Sequence, residues 1–149
     1  MSFMRKHTAY IGLGSNLQDP VLQVKNAFVA LDQLAKTTLS KASSLYITEP
    51  LGYNSEQLKN IPDFINAVAQ VKTDLSPLEL LEAILGIENE AGRERPFTNA
   101  PRVLDCDLLL YDGVVMHSER LTLPHPRMHL RSFVLLPLAE IAPELTLPN

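Results

Sequence analysis

The sequence of 149 residues is 46% hydrophobic and 20% charged, and it carries a net charge of −4 at pH 7. This composition is typical of a single globular domain over residues 1–149, and the small negative charge gives no general attraction to nucleic acid or anionic lipid. The one cysteine, Cys106, excludes an internal disulfide, no secretory leader is expected, and no apolar run approaches the roughly 18 residues of a membrane span. We expect a cytoplasmic monomer that binds neither nucleic acid nor membrane.

Patterns in the first half of the chain predict a strand, a helix and two further strands. The apolar segment 8–14 predicts a buried strand. Asp19 can cap the helix that follows, which begins with a proline and continues at helical spacing over about 20–34. Segments 39–48 and 64–73 predict two more strands, of which the second alternates between apolar and polar residues.

The second half predicts a helix, a strand, a hairpin and a last helix. A capping box of Ser, Pro, Leu and Glu opens the helix over 76–92, and a glycine ends it. Segment 104–111 is a strongly apolar strand that contains two aspartates. Segment 112–115 predicts a tight turn into a hairpin, and 129–140 predicts a helix that Pro137 ends or kinks.

The order strand, helix, strand, strand, helix, strand is typical of the α+β class. It predicts a ferredoxin-like sandwich in which helices flank a mainly antiparallel sheet. Two connections, 49–62 and 92–103, are long, and loops of that length in a compact domain are usually functional or mobile.

The tripeptide Asp105-Cys106-Asp107 lies in the last long strand of this scheme. Residues two apart on a strand point to the same face, so the carboxylates stand side by side while Cys106 and Leu108 point toward the core. Two like charges so close are costly unless a cation relieves them, and Mg²⁺ binds one or two carboxylates together with substrate phosphates. The pair predicts a magnesium site, with an ordinary acidic strand face as the alternative.

Arginines are concentrated in the second half of the chain. All six lysines precede residue 73, whereas six of the seven arginines lie between positions 93 and 131. Arg93, Arg95 and Arg102 belong to one loop, and Arg102 stands three residues before Asp105. Guanidinium groups match phosphate oxygens in a bidentate manner, so these arginines beside a magnesium site predict ATP as a ligand. The alternative is that they only neutralise the two aspartates.

Glu88, His125 and Arg131 are candidates for supporting roles. Glu88 falls within the apolar stripe of the second helix, where a carboxylate needs a partner, and an arginine of the following loop is the expected one. We interpret Glu88 as a residue that positions the groups of the site without contacting the ligand. The alternative is that it reaches solvent at the edge of the helix. His125 and Arg131 lie on a proline-bounded turn from which they can donate to phosphate, with a structural role for His125 as the alternative. No cysteine or histidine stands at zinc spacing, so a zinc site is not expected.

Two common nucleotide-binding motifs fail to match. Segment 12–17, GLGSNL, has leucine where a dinucleotide fingerprint needs its third glycine, and no G-x-x-x-x-G-K-[ST] is present. If the chain binds ATP, it does so without a P-loop.

Seven short segments follow one another in a distinctive order. They are 14–17 (GSNL), 48–52 (TEPLG), 62–67 (PDFINA), 92–95 (GRER), 101–107 (PRVLDCD), 121–125 (LTLPH) and 131–133 (RSF). In this order they resemble the 6-hydroxymethyl-7,8-dihydropterin pyrophosphokinase family of folate biosynthesis, over about residues 8–148. The R-x-x-D-x-D block followed by L-T-x-P-H is specific in combination, although each piece alone is weak.

The resemblance implies transfer of pyrophosphate from ATP, as co-substrate, to the hydroxymethyl oxygen of a reduced pterin, with release of AMP. It implies that two Mg²⁺ ions are held by Asp105 and Asp107, which form the catalytic set together with Arg93 and Arg102. The residues implied in ATP binding are Arg93, Arg95, Arg102, Leu108, Thr122, His125 and Arg131. Those implied in pterin binding are Asn16, Thr48, Leu51, Phe64, Asn66, Asp105 and Phe133, with the two phenylalanines stacking on the ring and Asn66 reading its polar edge.

Several positions depart from the family pattern. Asn99 stands where some members have tryptophan, which leaves the mode of loop closure open. Glu49, Cys106 and Pro126 also replace other residues, but none of these changes removes a group that the chemistry requires. Two other classes remain as alternatives: a nucleotidyltransferase, whose Gly-Ser and D-x-D motifs normally lie close in sequence, and a non-catalytic ferredoxin-like binding module.

Overall fold

The computed structural model describes residues 5–49, 56, 62–92, 103–128 and 132–145. Its elements, in chain order, are β1 (His7–Ser15), α1 (Pro20–Asp32), β2 (Thr37–Ala42), β3 (Tyr46–Thr48), β4 (Phe64–Thr73), α2 (Pro77–Gly92), β5 (Asp105–Tyr111), β6 (Met116–His117), β7 (Thr122–Leu123) and α3 (Ser132–Ile141). Most of the two long connections lies outside the described residues, and so do five residues predicted for the site: Leu51, Arg93, Arg95, Arg102 and Arg131.

The main sheet has five strands, with β1 in a central position. Its order is β2-β4-β1-β5, and β3 pairs with the part of β4 that precedes the β2 pairing. All of these pairings are antiparallel. The predicted α+β class, with a ferredoxin-like and mainly antiparallel sheet flanked by helices, is confirmed.

The first two helices begin at the residues that the sequence predicts. The side chain of Asp19 accepts from the Leu22 N–H at 3.4 Å, and Pro20 is the first helical residue. At the start of α2, Ser76 N–H donates to the Glu79 carboxylate at 2.9 Å, and Glu79 N–H donates to the Ser76 hydroxyl at 3.2 Å. These reciprocal bonds form the predicted capping box, which satisfies amide groups that the first turn of a helix leaves unpaired.

Each face of the sheet packs against helices. On one face, α1 and α2 bury apolar residues such as Leu31 and Ile84 against Ile11 of β1. On the other face, α3 buries residues such as Leu138 against Val68 of β4. Within the described residues, no helix is long and apolar enough to cross a bilayer.

The single strand predicted over 39–48 is wrong in one respect, because the chain forms two strands there. Ser43 stands between them, and its hydroxyl accepts from the Val68 N–H at 2.8 Å while its own N–H donates to the Val68 carbonyl at 2.9 Å. A side-chain hydroxyl thus takes the place of a backbone acceptor in the ladder. The strand pairing stops at this point and resumes at Tyr46.

The predicted hairpin after β5 is also corrected. Val114 N–H closes a turn onto the Tyr111 carbonyl at 3.0 Å, but the chain then leaves the sheet, and β6 pairs with β7 instead of with β5. Asp112 anchors this turn, since its carboxylate accepts from the Thr8 N–H at 2.8 Å. Contacts to β1 therefore decide where the strand ends.

The last helix is described from Ser132 to Ile141, and Pro137 lies inside it rather than at its end. Proline removes one backbone donor, which normally breaks or kinks a helix. The helix continues because Val134, Leu138 and Ile141 are buried against the sheet. Residues 129–131 of the predicted helix lie outside the described residues.

Candidate active site

Two glycines of β1 lie between the polar side chains of the neighbouring strands. Gly14 is the register partner of Asn66 on β4 and of Asp105 on β5, and Gly12 is the partner of Asp107. Because side chains of paired residues share a face of the sheet, one amide and two carboxylates stand on the same face as the glycines. Three strands therefore bring these groups together near the end of β1.

A cavity of about 290 Å³ opens over these glycines. Six of its lining residues are predicted site residues: Thr48, Phe64, Asn66, Asp105, Asp107 and Phe133. The others are Gly12, Leu13, Gly14, Glu49, Ala67 and Val134. The cavity thus lies between the sheet and the first turn of α3. Its lining residues belong to, or directly follow, five different elements.

Asn66 is the buried amide of this cavity, with 8% of its surface exposed. Its Nδ2 donates to the Thr48 hydroxyl at 2.6 Å, which fixes the orientation of the amide. A Cβ atom at Gly14 would lie 2.9 Å from Asn66 Oδ1, so the amide occupies space that only glycine leaves open. The amide oxygen is held at the cavity as a positioned acceptor.

The two aspartates of β5 line the cavity, while the residues between and after them are buried. Asp105 is half-buried and Asp107 is exposed, whereas Cys106 and Leu108 belong to the core on the opposite face. The predicted alternation along this strand is confirmed. It turns both carboxylates toward the same space.

Glu88 of α2 supports this strand from the edge that faces away from β1. Its Oε2 accepts from the backbone N–H of Cys106 at 2.7 Å, in the residue between the two aspartates. Burial, followed by the charges of Glu88, Asp107 and Asp105, raises the pKa of the Cys106 thiol. The thiol therefore stays protonated, and it lies in the core on the face opposite the two carboxylates, so it does not line the cavity.

The donor set of the cavity suits Mg²⁺. Across the described part of the chain, no three His, Cys, Asp or Glu side chains gather closely enough to hold a metal alone. Mg²⁺ does not need such a cage, because it takes one or two carboxylates and completes its shell with water and phosphate oxygens. Asp105 and Asp107 offer two hard oxygen ligands on one strand face, with solvent on one side of them.

Comparison with known proteins decides the family. The sequence model of the 7,8-dihydro-6-hydroxymethylpterin-pyrophosphokinase (HPPK) family matches residues 10–143. The chain belongs to this family.

Relatives of the HPPK family resemble the chain over most of its length. A Haemophilus influenzae protein named 2-amino-4-hydroxy-6-hydroxymethyldihydropteridine pyrophosphokinase is 50% identical over 142 residues, which is 95% of this chain and 86% of the relative. A Pseudomonas aeruginosa protein of the same name is 44% identical and covers 94% of this chain and 83% of its own length. The family predicted from the sequence motifs is confirmed.

Solved structures share the fold at low sequence identity. A crystal structure described as HPPK-DHPS in complex with substrates has a TM-score of 0.70 at 15% identity and covers 96% of this chain. Plasmodium falciparum HPPK-DHPS has a TM-score of 0.67 at 16% identity and also covers 96%. The chain spans only 41% and 39% of those two longer chains, so the likeness shows the HPPK fold alone.

Five predicted residues lie among the described residues but do not line the cavity, and one of them is Glu88, whose bond to β5 is given above. Asn16 follows β1 and donates from Nδ2 to the Pro62 carbonyl at 3.2 Å, which ties the start of β4 to the end of β1. Thr122 lies on β7 opposite His117. The side chain of Leu108 is buried in the core, so a contact between Leu108 and ATP would have to come from its backbone.

His125 lies beside the edge of β5 that faces away from β1. It follows the cis peptide between Leu123 and Pro124, and its N–H donates to the Leu109 carbonyl at 2.9 Å. The ring accepts from the Arg127 N–H at 3.4 Å through Nδ1. The backbone contact places the histidine near the strand that carries the aspartates, although its ring is not part of the cavity lining.

Gly12 and Gly14 are site residues that the motif search missed. Both belong to the segment GLGSNL, which does not match a dinucleotide fingerprint, and Gly14 also begins the GSNL segment of the family resemblance, but neither glycine was predicted as a site residue. Their spacing of two residues, which places both on one face of a strand, is the signal that identifies an open sheet surface. Glu49 and Val134 also line the cavity, and nothing in the periodicity of the sequence marks them.

Proposed function

We propose that the chain transfers the pyrophosphoryl group of ATP to the hydroxymethyl oxygen of 6-hydroxymethyl-7,8-dihydropterin and releases AMP, as a step of folate biosynthesis. Relatives that are 44–50% identical over nearly the whole chain are named as this pyrophosphokinase, in agreement with the enzyme class predicted from the sequence. The observation that carries the proposal in the structure is the row Asn66, Gly14, Asp105, which places a positioned amide and a carboxylate in one cavity.

The Asn66 end of the cavity suits a pterin. A pterin is a flat aromatic heterocycle with hydrogen-bond donors and acceptors along one edge. Phe64 and Phe133 line the cavity from β4 and α3, and aromatic rings are favourable surfaces for such a heterocycle. Asn66 would offer its amide oxygen to the polar edge, because the bond from Nδ2 to Thr48 fixes the orientation of the amide. These contacts would select the ring and fix its direction.

The Asp105 end suits the triphosphate. Two strand spacings of about 4.8 Å separate Asn66 from Asp105, roughly 10 Å in all, so one small bicyclic substrate can reach both. The carboxylates would hold Mg²⁺, two ions by the family resemblance, and bound Mg²⁺ would neutralise charge on the polyphosphate. Arg93, Arg95 and Arg102 are proposed to contact the phosphates, on the basis of sequence alone.

The protein contributes mainly by positioning the two reactants. The hydroxymethyl oxygen attacks the β-phosphorus of ATP, the bond between the β-phosphorus and the oxygen bridging to the α-phosphate breaks, and AMP leaves with that bridging oxygen. The proton of the hydroxyl passes to solvent. A cavity that holds both reactants in line converts a bimolecular reaction into a unimolecular one, which is where much of the rate enhancement of phosphoryl-type transfer arises.

Roles beyond the cavity remain proposals from sequence. His125, Thr122 and Arg131 would assist in ATP binding, Leu51 and Asn16 in pterin binding, and Glu88 would keep β5 in place. A single domain over 1–149, a monomeric state and a cytoplasmic location are likewise proposed.

The first test identifies the nucleotide product. Purified protein is incubated with Mg²⁺ and ATP, with and without 6-hydroxymethyl-7,8-dihydropterin, and the nucleotides are separated by chromatography. We expect AMP only when the pterin is present. ADP would mean ordinary phosphoryl transfer and free pyrophosphate would mean a nucleotidyl transfer; either result, or binding without turnover, would refute the proposal.

A further inference from the structure

Glu140 of α3 receives hydrogen bonds from the segment that enters β3. Its two carboxylate oxygens accept from the Ser44 N–H at 3.0 and 3.1 Å, from the Ser44 hydroxyl at 2.8 Å and from the Tyr46 hydroxyl at 2.7 Å. Three donor groups of one segment thus converge on one side chain of another. The break between β2 and β3 makes this possible, because it turns the Ser44 N–H away from the ladder and toward the helix.

On the strand side, this contact is linked to the amide of the cavity. Tyr46 is the direct register partner of Asn66 across the β3–β4 pair. Thr48 lies two residues further along the same face of β3 and accepts from Asn66 Nδ2 at 2.6 Å. Holding Tyr46 in place therefore holds the short strand whose threonine orients Asn66.

On the helix side, the same carboxylate is linked to the aromatic wall of the cavity. Phe133 precedes Glu140 by seven residues, which is nearly two helical turns, so both lie on the same side of α3. Phe133 and Val134 line the cavity. The carboxylate therefore joins the element that carries the aromatic wall to the element that carries the polar wall.

We propose that Glu140 is a positioning residue that fixes the separation of Phe133 from the Thr48–Asn66 pair and thereby sets the affinity for the pterin. The proposal rests on the function proposed above. Glu140 lies on the surface, outside the cavity, and does not touch the substrate. The buried residues Leu138 and Ile141 keep α3 docked without it, so its loss should let the helix shift rather than detach.

The test compares steady-state constants of the full-length variant Glu140→Ala with those of the wild type. Because hydrogen bonds to an ionised carboxylate are the strong ones, we expect the KM for the pterin to rise about tenfold. The KM for ATP should rise less than the KM for the pterin, because Asp105 and Asp107 lie on β5, which is neither of the two elements that Glu140 joins. Glu140→Gln keeps one carbonyl acceptor and should give an intermediate value.

Glu144→Ala is the matched control, since it removes an exposed glutamate four residues further along the chain and changes the net charge equally. We expect wild-type constants from it. If the wild type releases AMP and Glu140→Ala has an unchanged pterin KM, the inference is overturned and the proposed function stands. Equal rises in the pterin and ATP constants would also overturn it, because they would indicate a general structural role. Absence of AMP release by the wild type would refute the function and the inference with it.

Tyr46→Phe provides a second, milder variant in case Glu140→Ala does not fold. It removes one hydroxyl and leaves the ring and the backbone of β3 in place. We expect about a threefold rise in the pterin KM from the loss of this one bond to a carboxylate. Wild-type constants in Tyr46→Phe would contradict the proposed link between the helix and the strand.

Discussion

Gly14 and Asn66 stand directly opposite each other on β1 and β4, at a point where no other residue than glycine leaves room for the amide. A Cβ atom at position 14 would lie 2.9 Å from Asn66 Oδ1, which is closer than the contacts that Cβ atoms make in proteins. The amide cannot easily turn away, because its Nδ2 is bonded to Thr48. The cavity thus depends on a missing side chain as much as on the side chains that line it.

Replacing Gly14 by alanine should therefore weaken pterin binding. The added methyl displaces the amide from its position, and we expect the pterin KM to rise about tenfold, the cost of one misplaced hydrogen-bonding group. Steady-state kinetics with pterin and ATP varied separately will measure it. Gly86→Ala is the matched control: a Cβ there meets nothing within 4 Å, so activity should not change. Alanine should also stabilise the interior of α2 by about 1 kcal/mol. A wild-type pterin KM in Gly14→Ala would contradict the steric argument.

Substitutions at Asp107, within β5, and at Asp112, directly after it, should separate a loss of activity from a loss of stability. Asp107→Ala removes a carboxylate from the cavity, and we expect kcat to fall by at least about 10²-fold with little change in melting temperature. Asp112 lies outside the cavity, where its carboxylate accepts from Thr8 N–H and contacts His7 Nδ1.

Asp112→Ala should have the opposite effect from Asp107→Ala. It loses the anchor of the turn after β5 and places alanine at a positive φ of 48°, so we expect a loss of about 1–2 kcal/mol in unfolding free energy and an unchanged kcat. Denaturant titration and product assays on the two variants measure the contrast. Retained turnover in Asp107→Ala would remove this aspartate from the proposed metal site.

Glu88 should matter through the backbone of β5. Glu88→Ala leaves the Cys106 N–H without its carboxylate acceptor, at a cost of about 1–3 kcal/mol, and it lets the strand between the two aspartates shift. We expect a lower melting temperature and a higher Mg²⁺ concentration for half-maximal activity. Glu88→Gln keeps an acceptor oxygen and should recover most of both. If Mg²⁺ dependence is the same in the alanine variant and the wild type, Glu88 does not position the aspartates.

The pH dependence of stability should include a contribution from Asp74. The Lys6 N–H, at 3.0 Å, and then the Arg5 guanidinium, at 3.1 Å, hold the pKa of this carboxyl below its ordinary value of 3.8. A carboxyl whose pKa is lowered on folding stabilises the fold above the unfolded pKa, and this stabilisation is lost as pH falls through the folded pKa. The melting temperature of Asp74→Asn should therefore lie below that of the wild type near neutral pH, and the difference should shrink below about pH 4. A difference that stays constant down to pH 2 would contradict this prediction.

Features that depend only on nearby residues could be predicted from the sequence. The period of two along β5 turns both aspartates to one face, and the capping box at Ser76 and Glu79 starts α2 where expected, because each depends on neighbours within a few residues. The order of such elements also predicted the ferredoxin-like sheet. The motif segments predicted the family, and the structure places six of the predicted site residues in one cavity.

Only the tertiary structure decided the contacts between residues far apart in the chain. Glu88 accepts from a backbone N–H of β5 18 residues away, where sequence reasoning expected an arginine; the arginines of the following loop lie outside the described residues. The break at Ser43 depends on Val68, and the bonds of Glu140 span 94 and 96 residues. Periodicity records which face of an element is apolar, but it carries no information on which side chain of another element will meet that face. That is decided when the strands pair in register. For this reason only the folded chain shows that Gly12 and Gly14 line the cavity and that Glu140 joins the two elements on either side of it.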